Sequence, residues 1–508
     1  MKTTFIYVFT LWRLFRMKTR LLARTHGVTA LFGIALVAST AAVACGDDDT
    51  GAGPTPTPTP VEAGTPTDSG PGTTDTGPAT DAPTDTGPEE AKPLVLALSK
   101  DGHDRFFAVA YDAAGNLYAS GVKTTTTDAS ENVVSIVAKL TPAGKLDTTF
   151  GTNGVAEIDL GPGTETTRGV IVQSTGKIVI AGAVLHEGTV AADRDVAVAR
   201  FNANGQPDTN FGTQGVVRLD LSTPDVGGTV FDSQWGLALG PSDAIFVHAG
   251  QKSLTGADSD FAIVKLDANG TPDGNFGTNG VTTVDVGGGR DASARGLIVL
   301  ADGSVVAGGY MRDGTASTDP IKPVVIKLLP NGQPDPNFGA AGVYNDLVLP
   351  LMTEVYAVGR QGTSFVTAGY GRANETESLD YLSLRILANG TRDMTYGTNG
   401  VARVDLAGQA DNARNVLVLP DNRVMIVGGG RTSATEQHGM VAILTPDGQP
   451  DTTFAPGGKK GIDLGGPADH FWGAAVSPDG KKVAIGGLTG GKDGGNDDAV
   501  IYVMEISK

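Results

Sequence analysis

The chain has 508 residues, a formal net charge of -18, 72 Gly, 6% aromatic residues and one Cys. A single Cys excludes an internal disulfide framework, and the acidic balance excludes nucleic acid as a natural partner because a negative surface repels phosphate. Abundant Gly with few aromatics favours short strands joined by tight turns over a helical protein.

In chain order, residues 17–24 form a basic stretch and 28–44 an apolar run ending in small residues, which is the layout of an export signal. Met17 is an alternative start to Met1. The run is too short, and too rich in Ala and Thr near its end, for a permanent membrane span. Ala42-Val43-Ala44-Cys45-Gly46 resembles a bacterial lipobox with Ala42 where Leu is usual, which implies that Cys45 becomes the lipidated first residue. The alternative is a plain cleaved signal that leaves a free thiol. Residues 1–44 carry Lys2, Arg13, Arg16, Lys18, Arg20 and Arg24 and no acid, so their removal takes the net charge from -18 to -24.

Residues 45–92 shift to Asp, Thr, Pro and Gly. Without apolar side chains such a segment cannot offset its ordering entropy, and its prolines keep it extended. It reads as a tether that holds the next domain on the order of 100 Å from the lipid.

From residue 93 onward one pattern repeats. Asp-x-x-Phe/Tyr starts at Asp147, Asp208, Asp273, Asp335, Asp393 and Asp451, usually after a turn such as Asn204-Gly205-Gln206-Pro207, with spacings of 61, 65, 62, 58 and 58 residues. A period near 60 describes one supersecondary unit copied in tandem. In the unit near Arg295, strands are predicted over 296–300, 304–309, 323–329 and 342–347, with Ala301-Asp302-Gly303 as the first turn. Seven first strands can be counted. The last unit stops after its third strand, and residues 93–98 stand where its fourth would be. The predicted fold is all-β: a seven-bladed β-propeller over 93–508, four strands per blade, its ring closed by the N-terminal strand. An open β-solenoid is the competing architecture.

A small residue followed by Gly ends each second strand, as at Ser120-Gly121 and Ala368-Gly369. We expect crowding between wedge-shaped blades to be the reason. The turn-Asp-x-x-Phe-Gly-x-x-Gly signature resembles the delta-60 repeat, an uncharacterised bacterial β-propeller family frequent in secreted and surface proteins. The resemblance covers about residues 93–508 and implies fold and export, with no activity to carry over. Only the sixth copy, Asp451-Thr-Thr-Phe454-Ala455-Pro456, lacks the Gly after Phe.

Two faces follow from this register. One carries the short first-to-second-strand turns and the repeated motif, where Asp is expected to bind its own turn and Phe to plug the seam between units. One carboxylate per loop is too few for Ca²⁺. The other face carries second-to-third-strand loops that differ from copy to copy, and there the first strands begin. The leading positions are Phe107, Arg168, Trp235, Arg295, Glu354, Arg414 and Trp472. Aromatic faces beside Arg at a channel mouth suit sugars or carboxylates. The plainer alternative is that they pack between blades or pair with Glu165, Asp232, Asp291, Asp411 and Asp469 just upstream.

Five histidines, His103, His186, His248, His438 and His470, lie on or near the same face without metal-ligand spacing. No motif of a known catalytic class is present. The sequence therefore predicts a monomeric, lipid-anchored binding module of the cell envelope for a carbohydrate or protein ligand, with no cofactor and no metal. A polysaccharide lyase or hydrolase at the same mouth is the alternative.

Overall fold

A computed structural model describes residues 92–100, 102–125, 133–161, 165–186, 193–222, 232–252, 258–406, 408–490 and 496–506. The predicted export segment, Cys45 and the linker to residue 91 lie outside these residues, as do parts of several variable loops. All described residues belong to the compact unit Pro78–Lys508. The architecture is all-β: the 3-10 turns Pro241–Asp243 and Pro456–Gly458 are the only helical segments among the described residues.

The second repeat shows the common pattern. Thr166–Val172, Ile178–Leu185, Arg194–Phe201 and Val216–Leu219 pair in succession, all antiparallel. Ile178–Leu185 reads as a nearly unbroken apolar run because both of its faces are covered by neighbouring units. Hydrogen bonding gives five four-stranded sheets and one of ten strands. The larger sheet arises where the fourth and fifth units join: Met352 pairs in parallel with Ile321 and antiparallel with Arg372. There the fourth strand predicted over 342–347 shrinks to Val343–Tyr344. At the other end, Leu94–Leu96 pairs antiparallel with Asp497–Glu505, Leu94 opposite Ile501.

The core is divided among seams. Phe150 of the first unit packs with Val170 and Ile180 of the second, Phe211 with Ile245 and Val247, and Phe276 with Val305 and Ile326. Phe338 packs with Val358 and Phe365, Tyr396 with Val424 and Ile426, and Phe454 against Val483 and Ile485. Each of the first five rings is fully buried, worth roughly 1.5–3 kcal/mol apiece. A further cluster joins Phe106 and Ile136 of the first unit to Ala484 and Ile501 of the last, with Leu94, Leu96 and Leu98 against it.

The motif Asp does two things. Its Oδ1 accepts the backbone N–H two residues on, as from Thr149 to Asp147 and Asn275 to Asp273, closing the local turn. Its Oδ2 meets a cation that the sequence pattern did not single out: Lys139–Asp147 at 2.9 Å, Arg200–Asp208, Lys265–Asp273, Lys327–Asp335 and Arg385–Asp393 at 2.8 Å. Lys139, Arg200, Lys265 and Arg385 also lie over the plugging ring, with Arg200 4.6 Å from the centre of Phe211. Hydrogen bonds from Thr149 and Lys139 pull Asp147 down to about 2. The motif Gly then donates to the next unit's turn, Gly277 to Asn331 at 2.9 Å and Gly339 to Asn389 at 2.8 Å.

The small-Gly pairs are crowded from two sides: as expected between units, a Cβ at Gly308 would meet Val355 of the next unit at 2.8 Å and one at Gly486 would meet Val109 of the first at 2.9 Å. A Cβ at Gly121 would stand 1.8 Å from the carbonyl oxygen of Arg105, and one at Gly369 1.9 Å from that of Glu354. Both carbonyls belong to the first strand of the same unit. At these two glycines the crowding is internal to the hairpin, where the first strand is bulged.

Candidate functional site

The bulge creates the site. Strand pairing skips Phe107, Arg168, Trp235, Arg414 and Trp472, and at the fourth unit skips Arg295 together with Gly296. An extra residue bends the strand and re-aims a side chain. Six of the seven predicted positions are thus bulge residues.

The seventh prediction, Glu354, is displaced. Gly369 crowds Glu354 as Gly121 crowds Arg105, and Phe107 lies two residues beyond Arg105; two beyond Glu354 is Tyr356. The fifth unit's hairpin is shorter than its counterparts, with two residues between paired Gln361 and Ser364 against five between Val172 and Ile178. The trimmed turn removes the spacing by which a sequence reader keeps register, and Tyr356 takes the place assigned to Glu354.

With Tyr356 included, the seven side chains touch in order. The Arg168 guanidinium lies 6.0 Å from the centre of Phe107 and 3.9 Å from Trp235. Arg295 lies 3.8 Å from Trp235 and 4.5 Å from Tyr356, and Arg414 4.7 Å from Tyr356 and 4.3 Å from Trp472. Trp472 meets Phe107 edge to face at 5.0 Å. Cations alternate with aromatic faces all the way around, and the odd count leaves one aromatic pair, Phe107 and Trp472.

The members differ in exposure. Arg295, Arg414 and Tyr356 are buried, whereas Phe107, Arg168, Trp235 and Trp472 are half-buried and keep surface toward solvent. Arg295 donates to the Ala294 carbonyl at 2.9 Å and to the hydroxyls of Tyr310 at 2.8 Å and Tyr356 at 3.2 Å. Burial disfavours its charge, yet Tyr356, Tyr310 and Glu354 outweigh that and raise its pKa above the usual range. Glu354 is therefore a buried counter-charge beside the circle, and it also helps push the Tyr310 and Tyr370 hydroxyls up after burial itself. The Trp472 indole N–H is buried with no hydrogen-bond partner among the described residues.

The upstream acids serve the backbone. Glu165 accepts from Leu160 N, Ser135 N and Ser135 Oγ, and Asp232 from Leu221 N and Ser222 Oγ. Asp411 accepts from Leu406 N, and Asp469 from Leu464 N and Thr489 Oγ1. They tie each first strand to the chain entering it from the previous unit. Desolvation pushes Glu165 up to about 8 and Asp232 and Asp411 up to about 7, against the pull of those donors. Asp291, named with them from sequence, is exposed instead.

Among the histidines, His248 is fully buried with Nδ1 3.0 Å from the Arg295 carbonyl, and desolvation lowers it to about 4. His470 lies 5.1 Å from Trp472, centre to centre. Spacing along the chain gave no metal site, but folding brings ligand types together in three places on the loop-variable side: His186 with Asp195 and Asp220, Asp258 with Asp260 and Asp285, and Asp380 with Asp405 and Asp411.

The family model described as a domain of unknown function (DUF5122) beta-propeller matches residues 173–211 and 419–454. Each match runs from a first-to-second-strand turn to the motif aromatic, Phe211 or Phe454. No curated protein matches. Among solved structures the chain is similar to a protein of unknown function from Dyadobacter fermentans DSM 18053, at 14% identity and TM-score 0.45, over 82% of this chain and 99% of that one. It is also similar to the polysaccharide lyase Uly1, at 12% identity and TM-score 0.42 over 81% and 94%, and to a Penicillium chrysogenum α-L-arabinanase, at 10% and 0.39 over 66% and 92%. The chain is an all-β, repeat-built β-propeller.

Proposed function

We propose that residues 93–508 form a closed, seven-bladed ring that binds carbohydrate at the mouth of its channel, and that Cys45 anchors it by lipid in the cell envelope. The circle of Phe107, Arg168, Trp235, Arg295, Tyr356, Arg414 and Trp472 carries the reading, because each unit contributes one member and the last touches the first. The pairing of Leu94 with Ile501 and the apolar cluster joining first and last units support closure. Support for the anchor is the export layout and the lipobox-like 42–46.

The chemistry favours a sugar ring. Half-exposed Phe107, Trp235 and Trp472 keep apolar ring rims toward solvent, and half-exposed Arg168 sets a cationic, N–H-bearing head between Trp235 and Phe107. Buried Arg295 and Arg414 hold those rings in place. A net charge of -24 after loss of residues 1–44 disfavours highly anionic polymers.

A glycan array tests this with full-length protein and the variants Trp235→Ala and Trp472→Ala, each checked for folding by circular dichroism. Binding by the parent that both variants lose supports the site. Retention in both removes it, and shortening of the bound glycans would favour the enzyme reading. Membrane fractionation of Cys45→Ser tests the anchor: a variant that stays with the membrane contradicts it.

A further inference from the structure

The structure assigns a divalent-cation site, of the hard, oxygen-coordinated kind suited to Ca²⁺, to Asp258, Asp260 and Asp285 at the loop-variable end of the third unit. This site is separate from the central circle. Asp260 and Asp285 face each other one step beyond the last paired residues of their strands, Phe261 and Val284, and Asp258 lies two residues before Asp260 on the same face. One carboxylate oxygen from each lies within 4.8 Å of the others.

Three like charges do not by themselves make a site. Here a second observation points to a missing ligand: Asp260 is 6% exposed, and its Oδ1 is buried with no hydrogen-bond partner among the described residues. A buried carboxylate oxygen without a donor is costly unless a cation meets it. Asp285 is exposed and its Oδ1 is held by Gly287 N at 3.0 Å and Gly288 N at 2.5 Å, which fixes the third carboxylate at the solvent side. An ion entering there keeps water in its remaining positions, as Ca²⁺ with its 6–8 oxygen ligands does. An all-oxygen donor set disfavours Zn²⁺.

The two sister groups are already attended by a protein cation or a proton, although Asp411 Oδ1 is likewise buried without a hydrogen-bond partner among the described residues. Arg403 bonds Asp380, and the Lys459 ammonium bonds the Asp405 carbonyl, so protein cations already attend that group. In the other, His186 Nδ1 lies 2.8 Å from Asp195 and the pairing raises its pKa, so a proton competes with a metal.

Calorimetric titration of Ca²⁺ into EDTA-treated full-length protein provides the test, with Asp260→Asn and the exposed-position variant Asp285→Asn alongside. The parent should bind one more equivalent than either variant, or bind it at least 10-fold more tightly, and Ca²⁺ should raise its melting temperature by more than it raises theirs. Without Ca²⁺, Asp260→Asn should melt higher than the parent, since a neutral amide relieves the repulsion. Equal stoichiometry and affinity in the parent and Asp285→Asn overturns the assignment even if Asp260→Asn does not fold.

Discussion

Arg295→Met separates the packed half of the circle from its open half. Arg295 is 6% exposed, and its guanidinium lies over Trp235, Tyr310 and Tyr356 at 3.8, 4.8 and 4.5 Å and donates to two tyrosine hydroxyls and a carbonyl. Met fills much of the space and restores none of the polar contacts. Each cation–π contact is worth about 0.5–2 kcal/mol where desolvated, and each buried acceptor left without its donor, here the Ala294 carbonyl and the Tyr310 and Tyr356 hydroxyls, costs about 1–3 kcal/mol. The expected loss is therefore about 3–5 kcal/mol, read from urea unfolding as a lower midpoint at unchanged slope. Arg168→Met, at a half-buried position over Trp235 where water can replace what the guanidinium leaves, should lose less than about 1.5 kcal/mol. Equal losses for the two, or less than about 1 kcal/mol for Arg295→Met, would refute the reasoning that burial divides the circle.

Three further outcomes follow from named contacts. Glu165, Asp232 and Asp411 have folded-state values of about 8, 7 and 7, above their ordinary 4.5, 3.8 and 3.8, so the folded chain binds more protons than the unfolded one. Their charging costs nothing below about pH 4 and accumulates as pH rises through the folded-state values, so the melting temperature should fall between about pH 5 and 8; a rise over that window contradicts it. Glu165→Gln should flatten that fall. Leu96→Asp, set into the apolar cluster between first and last units, should lower the melting temperature well beyond Val95→Asp, whose side chain is 40% exposed; equal effects would speak against closure through this strand.

The fold was legible because its determinants are local and copied. Asp273, Phe276 and Gly277 recur at a fixed spacing, and each performs a local task of turn closure, seam filling or contact with the next turn. The central positions were legible wherever hairpin lengths matched, and Glu354 was chosen over Tyr356 where one hairpin was trimmed. The Lys265–Asp273 pairing was hidden because cation and acid sit on different segments and neither spacing nor composition marks the bond. Asp260 and Asp285 are 25 residues apart in the sequence, and only strand register places them face to face.

The half-exposed arc of the circle is the proposed seat of a sugar. Tryptophan fluorescence reports on it directly, since Trp235 and Trp472 are the only tryptophans after residue 44 and both belong to the circle. Titration with a panel of neutral and acidic oligosaccharides should give a saturable change for at least one sugar in the parent chain. The same titration of Arg168→Gln, with an urea midpoint close to that of the parent, should give none. An identical response in both proteins, or no response to any sugar in the panel, would contradict the claim.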